Sequence, residues 1–271
     1  MQSRISPLLC AIALLCASSA AAQGPLRVCA EPNDLPFSNT KREGFENKLA
    51  EMIAKELREN LVYVWISERE HFVKKTLDAG KCDAIMGVPA GFNEVETTQP
   101  YYASTYVFVS RRDSHLDLQS MRDPRLRKLR IGVHLIGDDN APPMEALSRQ
   151  GIVRNVIGYM IFGDSRQPNP PARLIEAVAQ KKVDIAAVWG PLGGYFAQRS
   201  TVPLTLMPIT DAAAFAPAAF QYAIAMGVRK GGHALRARLD QILARHRSEI
   251  RNLLKTYGVP LVRVNQAGGT G

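Results

Sequence analysis

Leu26 to Leu57 reads LRVCAEPNDLPFSNTKREGFENKLAEMIAKEL. Leu26 to Ala30 is a short apolar run of the kind a buried strand needs, whereas Glu31 to Gly44, rich in Pro, Asn, Ser and Gly, cannot form a regular element. From Phe45 the apolar residues return at Leu49, Met52, Ile53 and Leu57, the spacing of one helix face, with Glu and Lys on the other. Strand, long loop and helix in that order open an α/β unit. Such folds place ligands at the carboxyl ends of strands, so the loop from Glu31 to Phe37 is a candidate wall of a site.

Downstream, Leu61 to Ile66 alternates aromatic and β-branched residues and predicts a strand. Ser67 and Glu70 form a capping-box pattern for a helix with Phe72, Val73 and Leu77 inward, stopped at Gly80. Strands at Cys82 to Val88 and Thr105 to Ser110 extend this to β-α-β-α-β, a parallel sheet covered by helices. The charged, Asp-rich segment Arg111 to Lys128 separates it from a second set of elements. That set runs through a strand at Leu129 to Leu135 and the polar turn Gly137, Asp138, Asp139 and Asn140. Pro142 and Pro143 then open a helix to about Gln150, with Asn before Pro as its start signal. A strand at Val153 to Ile157, a loop at Gly163 to Asn169, a helix at Pro170 to Gln180 and a buried strand at Val183 to Val188 follow. A helix after Pro191 and a strand at Leu204 to Pro208 complete it. The chain returns through a strand, Tyr222 to Val228, and a helix with Leu235, Leu239, Ile242 and Leu243 on one face. A last helical stretch to Tyr257 stops at Gly258, and residues 263–271 read as a disordered, Gly-rich tail. There is no evident internal repeat, coiled coil or low-complexity core.

Residues 1–22 carry Arg4, an apolar stretch from Pro7 to Ala17 and small residues up to Ala22, the pattern of a secretory signal cleaved after Ala22. The apolar core is shorter than the roughly 20 residues of a spanning helix, and Leu rather than a small residue precedes Cys10 and Cys16, which disfavours a lipid anchor. Cleavage leaves Cys29 and Cys82 and a net charge of +9 − 1 = +8. Two cysteines in an oxidising compartment invite a disulfide, worth roughly 4 kcal/mol on the chain-entropy relation; the alternative is two buried thiols. The basic balance suits nucleic acid, an anionic membrane surface or an acidic protein. Export and the lack of a binding motif argue against nucleic acid. The densest basic groups, Arg122 to Arg130 and Arg229 to Arg251, read best as solvated faces.

Chemistry-bearing patterns are sparse. His134 with Asp138 and Asp139 offers one imidazole and two loop carboxylates, a poor set for zinc, and polarity at a helix entry explains it better. There is no nucleophile elbow, phosphate loop or CxxC, and His71 and Glu70 at a helix start read as solvent-facing. A carboxylate in a closed cleft, Glu31 for instance, is able to act as a general base, but nothing in the sequence marks it out for that role.

Taken in order, LRVCAEPNDLPFS, GFENKLAEMIAKEL, FVKKTLDAGKCDAIMGVP, TTQPYYASTYVFVSR, LRIGVHLIGDD, ARLIEAVAQKKVDIAAVWGP and YAIAMGVRK resemble the periplasmic solute-binding proteins of family 3, the polar amino acid type. The resemblance spans Leu26 to about Val262. It implies an α/β two-lobed clamshell of type II topology, each lobe a mostly parallel sheet flanked by helices. Lobe one would be residues 25–110 and 221–262 and lobe two residues 111–220, with hinge strands near Phe108 to Arg111 and Pro217 to Tyr222. It further implies a cleft lined by Glu31, Asn33, Phe37 and Ser38 from lobe one, by Tyr101 or Tyr102, and by His134, Asp138, Trp189 and Tyr195 from lobe two.

In that family an Arg clamps the ligand carboxylate and an Asp its ammonium. Counting back from Pro100 and Tyr101 puts Gly91 at the Arg position, and counting on from Asp184 puts Trp189 at the Asp position. Both handles are gone. VCAEPNDLPFSN and VWGPLGGYFA are similar to a narrower group, the MoxJ and XoxJ homologues associated with pyrroloquinoline quinone-dependent methanol and alcohol dehydrogenases. The resemblance implies a non-catalytic periplasmic accessory that binds the dehydrogenase, with its cytochrome c as a further partner, no cofactor, and room for a small molecule in the cleft. An importer subunit for a non-zwitterionic or aromatic solute is the second reading, and a dehydratase-type enzyme on the same fold the third.

Overall fold

The computed structural model describes residues 24–67, 71–136, 139–161 and 169–263. The expected leader, most of the expected tail, Glu70, Gly137, Asp138 and most of the Gly163 to Asn169 loop lie outside the described residues. The first lobe is built from β1 (Leu26–Ala30), the short pair β2 (Asn33–Asp34) and β3 (Ser38–Asn39), α1 (Phe45–Leu57), β4 (Leu61–Trp65), β5 (Ala84–Pro89), β6 (Glu96–Thr97) and the long strand β7 (Tyr102–Arg111). The second contains β8 (Ile131–Ile136), β9 (Asp139–Asn140), α2 (Pro142–Arg149), β10 (Val156–Met160), α3 (Arg173–Ala179), β11 (Ile185–Trp189), α4 (Gly190–Gln198) and β12 (Leu204–Pro208). The return runs through β13 (Gln221–Val228), α5 (His233–Arg245) and α6 (Arg247–Thr256).

The strand order β10-β8-β11-β7-β13-β5-β1-β4 is a two-lobed α/β sheet in which each lobe has a parallel core closed by antiparallel strands. β7 belongs to both halves. Its residues Tyr102 to Thr105 pair with β13, whereas Tyr106 to Ser110 pair with β11 and Val107 to Arg111 with β12. The partner switch falls between Thr105 and Tyr106, so Phe108 to Arg111, expected as a hinge, is already sheet of the second lobe. β7 is buried from Tyr102 to Ser110, and its alternating side chains divide between two cores: Tyr106 and Phe108 in one, Val107 and Val109 in the other.

Local sequence explains most elements. In α1, Phe45, Leu49, Ala50, Ile53 and Ala54 are buried against Leu26, Val28 and Met226. The helix starts where the preceding loop folds back on it: the carbonyls of Pro36 and Phe37 accept from the amides of Phe45 and Glu46 at 2.8 and 3.0 Å. A Cβ on Gly44 would lie 2.0 Å from the Phe37 carbonyl oxygen, so only glycine admits that return. Both lobes also fasten their first and third strands alike. Asp83 accepts from the amide and guanidinium of Arg27 at 2.9, 3.0 and 2.6 Å, and Asp184 from those of Arg130 at 2.7, 3.2 and 2.6 Å. This recurrence is invisible as a sequence repeat because a single Arg and a single Asp carry it.

Several expectations are corrected. The helix expected after Ser67 contains a π-helical turn, Lys74–Asp78, where the Thr76 hydroxyl bonds the Phe72 carbonyl at 2.6 Å and competes with the ladder. The segment Arg111 to Lys128 is no mere spacer: Leu118, Met121 and Leu126 are fully buried in the second lobe. Ala141, not Asn140, caps α2, since Asn140 pairs with Leu135. Cys82 lies just ahead of β5 rather than in it, and is bonded to Cys29 of the neighbouring β1.

Candidate functional site

The carboxyl ends of β1, β5, β8 and β11 converge on a cavity of about 430 Å³ between the lobes. Its floor is the crossing of β7 and β13, which contribute Tyr102, Tyr106, Tyr222 and Ile224. Trp189, the last residue of β11, is packed on this floor, its ring 5.3 Å from that of Tyr106 and 5.8 Å from that of Tyr222. Burial and Glu46 push the Tyr102 hydroxyl well above its ordinary range, with Trp189 opposing. Alternation along the strands at the crossing presents side chains to the gap on one face and to the core on the other.

Of the residues expected in the cleft, Glu31, Phe37, Ser38, Tyr102, His134 and Trp189 lie on this wall. Ser38 spends its hydroxyl on the Glu31 carbonyl at 2.7 Å, closing the loop. Asn33 is placed elsewhere, accepting from the amide of Asn169 at 3.3 Å and so joining the two lobes. Tyr101 is a strut: its hydroxyl donates to Glu46 Oε1 at 3.0 Å and accepts from the Gly87 amide at 3.2 Å. Tyr195 lines a separate cavity of about 470 Å³, stacked on Tyr257 with ring centroids 5.7 Å apart and with the Arg199 guanidinium 3.6 Å above its ring. Asp138 lies outside the described residues. Among the described residues no group of three His, Cys, Asp or Glu could hold a metal ion.

The sequence reading missed Asp34, Glu46, Met86, Tyr106, Ile161, Leu192 and Tyr222. Glu46 was placed with the solvated face of α1, yet it is only 8% exposed and opens on the cavity from the helix's first turn. Tyr106 and Tyr222 gave no signal, because their orientation depends on the register between β7 and β13.

His134 is the most unusual group on the wall. It sits in the middle of β8 and is 3% exposed, and neither ring nitrogen has a hydrogen-bond partner. Burial lowers its pKa to about 4, opposed by the Pro171 carbonyl, so the ring is neutral at pH 7. No Lys or Arg appears among the described residues of the wall, which carries the carboxyl groups of Glu31, Asp34 and Glu46. The position expected to hold the carboxylate-clamping Arg, Gly91, is in an exposed turn away from the cavity, its amide donating to Thr97 Oγ1 at 3.1 Å.

Residues 26–259 match the bacterial extracellular solute-binding proteins, family 3. The chain is 31% identical over 255 residues to protein MoxJ of Methylorubrum extorquens, covering 89% of this chain and 83% of that protein. It is 30% identical over 264 residues to protein MoxJ of Paracoccus denitrificans, covering 93% and 95%. The crystal structure of the periplasmic binding protein XoxJ from Methylobacterium extorquens superposes with a TM-score of 0.72 at 33% identity, over 88% of this chain and 99% of that one.

Proposed function

The chain belongs to family 3 of the bacterial extracellular solute-binding proteins, and we propose that it is a non-catalytic periplasmic accessory of a pyrroloquinoline quinone-dependent methanol or alcohol dehydrogenase. In this reading it binds the dehydrogenase as a protein and assists its maturation or activation, with the cytochrome c of the same system as a candidate second partner. One observation carries the argument: the interlobe cavity keeps the clamshell position but has no Lys or Arg among its described wall residues, and has Trp189 in place of an acid. An α-amino acid carboxylate buried there lacks the bidentate partner that normally offsets its desolvation. The likeness to MoxJ and XoxJ over most of the chain supports the same reading. The leader pattern of residues 1–22 and the Cys29–Cys82 disulfide fit an exported protein.

The test is capture from a periplasmic extract with the purified chain as bait. Recovery of a quinoprotein dehydrogenase is the expected result. Failure to recover one, or strong thermal stabilisation by an ordinary amino acid, overturns the reading. The aromatic wall favours one alternative, an importer subunit for a non-zwitterionic or aromatic solute. That alternative expects a metabolite to persist through purification and to raise stability by RT ln(1 + [L]/Kd).

A further inference from the structure

We propose that the free edge of β10 in the second lobe is a docking site for an extended segment of a partner protein, apolar along the strand and acidic where it meets Arg127, Lys128 and Arg154, which adds to the sheet as a further strand. The inference deepens the proposed function by naming the surface that holds the partner, and rests on that reading in taking the partner to be a protein.

β10 ends the sheet: among the described residues it pairs with β8 and with no strand on its other side. Its odd-numbered positions face β8, since the Asn155 carbonyl accepts from the Ile131 amide at 2.8 Å and the Ile161 amide donates to the Leu135 carbonyl at 3.3 Å. Alternation therefore turns the amides and carbonyls of Gly158 and Met160 outward, where no described residue bonds them. Strand edges are ordinarily blunted by a charge, a proline or a covering element, because unpaired backbone groups template pairing with another chain. Val156–Met160 carries neither charge nor proline. Its surface is apolar as well. Four large apolar side chains stand well exposed among the described residues, and three of them, Val153 at 47%, Ile157 at 40% and Met160 at 43%, lie on or just before this strand. The opposite edge, β4, exposes only Val62 to that degree, and Arg42 lies over its Tyr63 ring.

Charge selects the occupant. The turn that carries Arg127 and Lys128 is tied to the start of β10 by the Asn155 side-chain amide, which donates to the Leu126 carbonyl at 2.7 Å. Arg127, Lys128 and Arg154 are exposed, and none of them forms an ion pair among the described residues. The neighbouring acids are already taken, Asp123 by Arg125 at 2.8 Å and Asp184 by Arg130 at 2.6 Å. The strand thus offers main-chain hydrogen bonds and apolar contact along its length and uncompensated positive charge at one end. That combination fits an extended segment bearing Asp or Glu at the same end. A second copy of the chain fits less well, because each copy brings the same cations and, without the leader, a net charge of +9 − 1 = +8.

The experiment follows amide hydrogen exchange of the purified full chain with two probes. One is a purified quinoprotein methanol dehydrogenase; the other is a short peptide of alternating valine and threonine with glutamates at both ends, beside a counterpart ending in lysines. At saturation the dehydrogenase is expected to slow exchange at Gly158 and Met160 at least about tenfold and to leave β4 unchanged. Met160→Pro removes one outward amide without touching the β8 ladder, and Ile157→Lys puts a charge on the strand. Each should weaken binding about tenfold, the worth of roughly one net hydrogen bond, whereas Val62→Lys on β4 should leave it unchanged. Ile157→Lys decides the matter if the proline variant does not fold. Arg154→Glu should weaken binding and reduce its salt dependence. The glutamate peptide should protect the same two amides at millimolar concentration and the lysine peptide should not. Dehydrogenase binding without protection at Gly158 and Met160, and with the edge variants neutral, overturns the proposal and leaves the accessory reading standing. If the dehydrogenase does not bind, the accessory reading falls and the peptides decide: protection by the glutamate form alone upholds the docking edge for another protein, and equal or absent protection overturns it. Concentration-dependent dimerisation that protects the same amides assigns the edge to a second copy and also overturns the proposal.

Discussion

Replacing both Cys29 and Cys82 with alanine separates two states of this protein by energy alone. The disulfide joins residues 53 apart in sequence, between β1 and the start of β5. A loop of that length removes roughly 14 cal/mol/K from the unfolded chain, about 4 kcal/mol at 25 °C. Both sulfurs are buried, 2% and 0% exposed, against Val73, Leu77, Ile85, Val88 and Val95, so their removal also leaves a small void worth roughly 1 kcal/mol. Two buried thiols would contribute only that second quantity. The double variant is therefore expected to lose about 5 kcal/mol, which for a domain of this size lowers the melting temperature by roughly 10 to 20 °C. Urea unfolding followed by far-UV circular dichroism, with and without reductant, measures it. A double variant within about 1 kcal/mol of the parent, or two titratable thiols in the unfolded, unreduced parent, refutes the bonded state.

Three further substitutions test the packing and the electrostatics. Gly194→Ala places a Cβ 1.9 Å from the Gly258 carbonyl oxygen, backbone against backbone, and should cost at least about 2 kcal/mol in urea unfolding. His134→Leu should change the pH dependence: with a folded pKa of about 4 against 6.5 unfolded, the unfolded chain takes up the extra proton between these values. The parent thus loses roughly 3 kcal/mol as pH falls through that window, and the variant should lack that slope in urea midpoints taken across it. At neutral pH the same variant should be no less stable than the parent, since it removes an unsatisfied buried ring whose cost is about 1–3 kcal/mol. Asp184→Asn removes a carboxylate held below its ordinary range by hydrogen bonds from Arg130. Being partly exposed, the pair should be worth about 1 kcal/mol. That difference is present above the unfolded value near 3.8 and fades as pH falls below it, which matched urea titrations of parent and variant can follow.

Much of the fold was legible from local pattern. The stretch from Leu26 to Leu57 announces a strand, a loop and a helix because burial imposes a spacing on apolar residues that is written in adjacent sequence. The same holds for β13 and α5, where Tyr222 to Val228 and Leu235 to Leu243 carry their periods plainly. Local pattern failed where a side chain competed with the backbone, as Thr76 does in the π turn, and where charge disguised buried anchors, as around Leu118, Met121 and Leu126.

The cavity is a different matter. Phe37 and Ser38 were accessible to reasoning because they lie in the loop that follows β1, and Trp189 because it ends β11. Tyr106, Tyr222 and Glu46 were not, and Tyr195 was drawn to the wrong cavity. Whether a residue of a doubly buried strand faces a gap or a core depends on which neighbour it pairs with, and β7 changes neighbours between Thr105 and Tyr106. The sequence by itself therefore determined most of the elements, their order and the family they belong to. Only the tertiary structure decided which side chains meet between the lobes, and that His134 is buried there without a partner, because those facts depend on registers between strands far apart in the chain.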